Sequence, residues 1–157
     1  MSSITIADLP RISREDLSRA ILSSPPSSSS LAVVDVRDSD YIGGHIAGST
    51  NVPSNTLDYR TPELVRTLKD KETVVFHCAL SQQRGPSAAL RYLRERKRLL
   101  AVGNEEEEGT GVGKEGQGGE SKNGTAGGEQ KVYVLEGGFN QWQEKCVGAV
   151  TWNGAVC

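Results

Sequence analysis

Aromatic residues are scarce: eight in all, 5% of a 157-residue chain, and methionine occurs once. Cysteine is scarcer still, with three residues at 78, 146 and 157 in no repeated spacing. That pattern argues against a disulfide scaffold and against a zinc module. No run of about 18 apolar residues occurs, so no membrane span is expected. The first ten residues lack a basic stretch followed by an apolar one, so no secretory signal is read there. A reducing compartment, cytoplasm or nucleus, is the expectation. An excess of charge of either sign is also missing: the net charge is −2, which gives no electrostatic case for nucleic-acid binding.

Glycine, by contrast, is abundant and unevenly placed. Ten of the 18 glycines fall within 103–130, together with seven Glu and two Lys. This segment has a single Val as its only large aliphatic residue and no aromatic one. It cannot bury enough apolar area to offset the entropy of ordering it, so it reads as a disordered insertion. A smaller Ser/Pro-rich break falls at 23–30. The expected organisation is one domain over 5–146, interrupted by 103–130 and followed by a tail, 147–157.

The remaining sequence alternates strand-like and helix-like segments. Ser13 with Asp16 has the form of a capping box opening a short helix. Leu31-Ala-Val-Val-Asp-Val36 and Thr73-Val-Val-Phe-His77 are near-continuous apolar runs, as in strands covered on both faces. Segment 49–53 is a short strand ended by Pro53. Over 61–69, Leu64, Val65 and Leu68 share a helical face, with Thr61 as the predicted cap and Pro62 at the first helical position. A helix is predicted over 84–98, a last strand over 131–135 and a helix over 138–146. The alternation predicts an α/β domain with a mainly parallel central sheet and helices on both faces.

The chemistry concentrates in Val75-Phe-His77-Cys78-Ala79-Leu80-Ser81-Gln82-Gln83-Arg84-Gly85-Pro86. A buried strand ends, five residues follow Cys78, and a helix opens at Arg84. Cys78 therefore stands at the carboxyl end of a strand, where open α/β sheets bind ligands. A loop wrapped over a helix N-terminus aims backbone N–H groups at an anion, and the helix dipole adds partial positive charge. Arg84 supplies a fork for a tetrahedral oxyanion. Helix N-termini and cationic neighbours lower cysteine pKa values to roughly 3.5–7.5, which makes Cys78 the candidate nucleophile. Ala79, Leu80, Ser81, Gln82, Gln83 and Arg84 are the candidate oxyanion binders. Ser81 is placed to hydrogen-bond the sulfur. His77 and Gly85 are expected to support the loop, His77 pointing away from it because strand side chains alternate. No metal site is read.

Three motifs carry a resemblance. Val34-Asp35-Val36-Arg37-Asp38 with Tyr41-Ile-Gly-Gly44-His45-Ile46-Ala-Gly48-Ser-Thr-Asn51-Val52-Pro53 resembles the N-terminal signature of rhodanese-like domains. Leu135-Glu-Gly137-Gly138-Phe139-Asn-Gln-Trp142 resembles their closing motif. The Cys loop is one residue longer than in sulfurtransferases of the family. Its His-Cys-x-x-Ser-x-x-Arg-Gly-Pro pattern is similar to cell-cycle dual-specificity phosphatases and eukaryotic arsenate reductases, especially small single-domain forms of fungi and plants. The resemblance implies a Cys78-dependent protein tyrosine or dual-specificity phosphatase working through a cysteinyl-phosphate. Its alternative is an arsenate reductase drawing on glutathione or glutaredoxin; a thiosulfate-type sulfurtransferase and a non-catalytic binding module are further readings. The phosphatase reading implies no cofactor, and the partners are a phosphorylated protein or a small phosphate or arsenate anion. Where the cell-cycle enzymes have acidic residues beside the Cys and before the Arg, this chain has Ala79 and Gln83. Asp38 and Asp40 are the nearest carboxylates, and they belong to the signature.

Asp35 and Arg37 share a strand face and read as a structural ion pair. His45 reads as a turn-stabilising residue. Cys146 and Cys157 are candidate resolving thiols for an oxidised or arsenylated Cys78. Inside the insertion, Gly111-Val-Gly113-Lys-Glu-Gly116 spells a dinucleotide fingerprint, but no strand precedes it and no helix follows. The Asn123-Gly-Thr125 sequon matters only in a secreted chain. The run 105–108 reads as a solvated acidic patch.

Overall fold

The computed structural model describes residues 4–23, 30–41, 44–46, 48–105 and 130–145. Five strands form one sheet: β1 (Arg11–Ile12), β2 (Leu31–Asp35), β3 (Thr50–Asn51), β4 (Thr73–His77) and β5 (Lys131–Leu135). Their order is β1-β5-β4-β2-β3, and every pairing is parallel. Four helices accompany them: α1 (Arg14–Ser23), α2 (Leu57–Thr67), α3 (Arg84–Glu105) and α4 (Gly138–Lys145). The predicted α/β class is the observed one, and the sheet is parallel throughout.

Alternation along the central strands makes two cores. Val34, Val74 and Phe76 face α2 and α3, where they meet Leu64, Val65, Ala88, Ala89 and Tyr92. Val33 and Val75 face the other way, toward Leu17 of α1 and Phe139 and Trp142 of α4. Burying each large apolar side chain contributes about 1.5–3 kcal/mol, so both faces of the sheet are sealed by helices. Parallel pairing also brings the carboxyl ends of all strands to one edge. Asp35 and His77 are register partners there.

Four local features differ from the sequence reading. The edge strand β1 was not foreseen; at two residues it is too short to show a period. Helix α2 starts at Leu57 rather than at Thr61, and Pro62 lies inside it. A tight 3-10 turn, Ser54–Thr56, feeds the helix early, and Leu57 is buried. The proline then forfeits only the N–H that would meet the Asp58 carbonyl. Thr61 is not the cap; its hydroxyl donates to the Leu57 carbonyl at 2.6 Å. Helix α3 runs on to Glu105, taking the first residues of the segment read as insertion. At that segment's other end Gln130 is buried: its Oε1 accepts from the Tyr92 hydroxyl at 2.7 Å, and its Nε2 donates to the carbonyls of Leu68 and Lys71. Residues 106–129, with the two decoy motifs, and residues 146–157, with Cys146 and Cys157, lie outside the described residues.

Ser13 does open α1, its hydroxyl accepting the Asp16 N–H at 3.1 Å. Among the described residues no helix is long and apolar enough to cross a membrane.

Candidate active site

Strand β4 ends at His77, and Cys78 follows it at the carboxyl edge, 3% exposed. The loop 79–83 then turns into α3, whose first residue is Arg84. Gly85 lets the helix approach the strand end: a Cβ there would lie 3.3 Å from the His77 Cα and 3.4 Å from the Cys78 nitrogen. Pro86 in the first turn costs nothing, because N–H groups there have no helical partner.

The loop is tied down through its carbonyls. The Cys78 carbonyl accepts the Phe139 N–H at 2.9 Å, and the Ala79 carbonyl accepts the Asn140 N–H at 3.0 Å. Both donors belong to the first turn of α4, which seats the loop on that helix's N-terminus. Gly138 makes this possible. It has φ +60, and a Cβ would fall 2.5 Å from the Ala79 oxygen and 2.6 Å from the Cys78 oxygen. The Ser81 carbonyl accepts from Arg11 Nη1 at 3.2 Å. These carbonyls are bonded to groups outside the loop, and inside it the Ser81 N–H donates to Cys78 Sγ at 3.1 Å. Ser81 is fully buried at φ +55, and its hydroxyl has no hydrogen-bond partner among the described residues. Leu80, Gln82 and Gln83 are exposed at the rim.

His77 is fully buried on the α4 side of the sheet, stacked on Phe139 with ring centroids 6.5 Å apart. Its Nδ1 lies 3.3 Å from the Cys78 carbonyl oxygen. Burial pushes its pKa down, against the pull of the Asp35 carboxylate 3.8 Å from Nε2. The ring is therefore neutral and points away from the thiol.

Arg84 does not stand free beside the loop. Its Nη1 and Nη2 grip Asp40 end-on at 2.7 and 2.6 Å, and Nη1 also reaches Asp38 at 3.3 Å. The carboxylates are themselves fixed: Asp38 accepts from the Ser54 hydroxyl and the Asn55 N–H, and Asp40 accepts the Asp38 N–H. Hydrogen bonding to Arg84 lowers the Asp40 pKa to about 2. The Asp38 pKa is also lowered: burial would raise it, but the hydrogen bonds from Ser54, Asn55 and Arg84 prevail. One cation against two carboxylates leaves the cluster at −1. Nε and one Nη2 hydrogen of Arg84, the side-on edge of the guanidinium, carry no bond to the described residues.

A second arginine pair is buried. Arg37 and Asp35 are 2% and 0% exposed, joined at 2.7 to 3.0 Å. Arg37 also donates to the Gly44 carbonyl and lies 4.0 Å from the centroid of the Phe139 ring. This pair clips the turn after β2 to α4. His45 Nδ1 lies 3.0 Å from the Ile46 carbonyl oxygen, a contact within its own turn.

The sequence reading missed Arg11 and the part played by Gly138 and Asn140. The Gly137-Gly138 pair was a visible signal without a role. Arg11 gave no signal, because its place depends on the pairing of a two-residue strand.

A buried cysteine at the carboxyl edge of a parallel α/β sheet, in a loop strapped to two helix N-termini, defines a rhodanese-like architecture. The chain belongs to the rhodanese-like domain family, which matches residues 18–145. Its relatives include the dual specificity phosphatase Cdc25 of Arabidopsis thaliana, 38% identical over 72% of this chain and 62% of that protein. Arsenate reductase 2.2 of Oryza sativa subsp. japonica is 40% identical over 72% of this chain and 69% of that protein. The chain thus spans about two thirds of the length of these plant relatives. The dual specificity phosphatase ibp1 of Schizosaccharomyces pombe is matched over nearly all its length, 33% identical over 89% of this chain and 92% of that protein. Among solved structures, the As-Sb reductase from Leishmania major superposes with a TM-score of 0.63 at 30% identity, covering 87% of this chain and 78% of that one.

Proposed function

We propose that this protein is a cysteine-dependent phosphatase of the protein tyrosine or dual-specificity type. Cys78 Sγ attacks phosphorus, the S–P bond forming as the P–O bond to the leaving group breaks. Water then hydrolyses the cysteinyl-phosphate, releasing phosphate and restoring the thiolate. Loop amides from 79–83 and the side-on edge of Arg84 stabilise the charge of the five-coordinate transition state. The observation that carries this reading is the seating of the loop: the bonded carbonyls of 78, 79 and 81 go to α4 and Arg11, while the Ser81 N–H serves the sulfur. No step calls on a metal or cofactor.

Neither Asp38 nor Asp40 is poised to give the leaving group a proton: Arg84 holds Asp40 ionised, and hydrogen bonds from Ser54, Asn55 and Arg84 do the same for Asp38. Aryl phosphates, whose leaving groups tolerate this, are the expected substrates over alkyl phosphates. The same observation favours a second reading, arsenate reduction, because a protonated arsenate brings its own proton and can lose water without a donor from the protein. Cys78 then forms an S–As bond, a glutathione thiolate attacks the sulfur, and the S–As electron pair goes to arsenic. Arsenite leaves, and a second thiol, with glutaredoxin, reduces the mixed disulfide.

Rapid-quench mass spectrometry with an aryl phosphate tests the phosphatase reading, run beside a glutathione-dependent arsenate assay. Phosphate trapped on the Cys78 peptide, and its loss in Cys78→Ser, is the expected result. Arsenite formation without any phosphoenzyme replaces the first reading by the second. A persulfide on Cys78 from thiosulfate, with neither other activity, overturns both.

A further inference from the structure

We propose that Arg11, on the edge strand β1, is a positioning residue for the oxyanion loop and a cation there with no carboxylate partner among the described residues. The inference rests on the Cys78 reading above and adds a residue that no motif marks. Ser81 sits in the left-handed region at φ +55, unfavourable for a side chain with a Cβ. Its hydroxyl does not hold it there, because Oγ is buried without a partner among the described residues. Two backbone bonds do. The N–H goes to Cys78 Sγ at 3.1 Å, and the carbonyl goes to Arg11 Nη1 at 3.2 Å. If the carbonyl loses its donor, the 81–82 peptide is free to turn, the left-handed conformation of Ser81 relaxes, and the N–H on the preceding peptide is drawn off the sulfur.

The edge strand explains how an exposed arginine can hold this place. Residues Arg11 and Ile12 pair with Val134 and Leu135; the Val134 N–H donates to the Pro10 carbonyl at 3.0 Å, and the Glu136 N–H to the Ile12 carbonyl at 2.9 Å. The backbone of Arg11 is thus fixed to the strand that leads into α4, the helix that carries the rest of the loop. Charge points the same way. Arg84 is more than neutralised by Asp38 and Asp40. Arg11 has no carboxylate partner among the described residues, and its full charge lies against the loop. A dianion arriving at the loop meets net attraction from Arg11 that the Arg84 cluster does not provide.

The test compares the full-length protein with Arg11→Gln and Arg11→Lys, reading the iodoacetamide alkylation rate of the Cys78 peptide at pH 6.5 and its protection by inorganic phosphate or arsenate. Arg11 is exposed, and thermal melts check that the variants stay folded. Arg11→Gln should slow alkylation and weaken anion protection each by about 5–10-fold, the net size of one hydrogen bond at a solvent-exposed donor. Arg11→Lys should return both to within about 2-fold, because an ammonium still donates to the carbonyl. In a Ser81→Gly background, where the left-handed backbone is free, the alkylation effect of Arg11→Gln should shrink while its effect on protection persists. A reactive wild type whose rate and protection are unchanged in Arg11→Gln overturns this proposal alone. A wild-type Cys78 no faster than free glutathione overturns the nucleophile reading beneath it.

Discussion

Two arginine–aspartate clusters lie near the carboxyl edge of the sheet, and they differ first in burial. Arg37 and Asp35 are sealed from water, at 2% and 0% exposure; Arg84 and Asp40 are about a third exposed, at 34% and 39%. Their bond lengths are alike, 2.7 and 2.6 Å. Similar geometry therefore does different work. Water competes for Arg84 and not for Arg37, so the Arg84 pair is exchangeable and the Arg37 pair is part of the frame. Arg37 also has Gly44 and the Phe139 ring as partners, whereas Arg84 keeps one edge open.

The comparison is broken most severely by removing Arg37. Arg37→Leu strands the Asp35 carboxylate in the core and should cost about 3–5 kcal/mol, read as a fall in the urea midpoint at unchanged slope. Arg84→Ala should do the reverse. Turnover should fall by roughly 10²–10³, as for loss of one transition-state donor, while the urea midpoint reports a change of about 1 kcal/mol or less. A stability loss for Arg84→Ala equal to that of Arg37→Leu would erase the distinction.

Gly138→Ala probes the bench on which both regions rest. Its Cβ meets the carbonyl oxygens of Ala79 and Cys78 at a φ of +60, so about 2 kcal/mol of stability should go, with activity lost at temperatures where the protein is still folded. The smallest effect concerns pH. The Asp40 pKa is depressed to about 2 from an unfolded value of 3.8. Its contribution is complete above 3.8 and disappears as pH falls toward 2. Asp40→Asn should flatten the urea midpoint between pH 4 and 2 and lower it most at pH 7, where the lost contribution is complete; because the pair is exposed, the difference should stay under about 1 kcal/mol.

What the sequence disclosed followed from how local each signal is. Cys78 and Arg84 lie close together in sequence, and the apolar runs of β2 and β4 announce buried parallel strands, so the fold and the place of the Cys loop at the strand end were legible. The partner of Arg84 was not: Asp40 is 44 residues away, and only the adjacency of β2 and β4 brings them together. Arg11 escaped notice for the same reason, meeting Ser81 across 70 residues. Pro62 misled because proline at a first helical position and proline inside a helix look alike until the preceding turn is known. Gln130 was hidden by composition: it closes a Gly/Glu-rich stretch, yet its amide stoppers the carbonyls that end α2.

The most direct test of a loop built to hold a tetrahedral oxyanion over Cys78 is calorimetric titration of Cys78→Ser with inorganic phosphate and with arsenate. The account predicts one site for each anion, lost or severely weakened when Arg84→Ala is added. A Cys78→Ser protein that binds neither anion, or binds both equally well without Arg84, would contradict it.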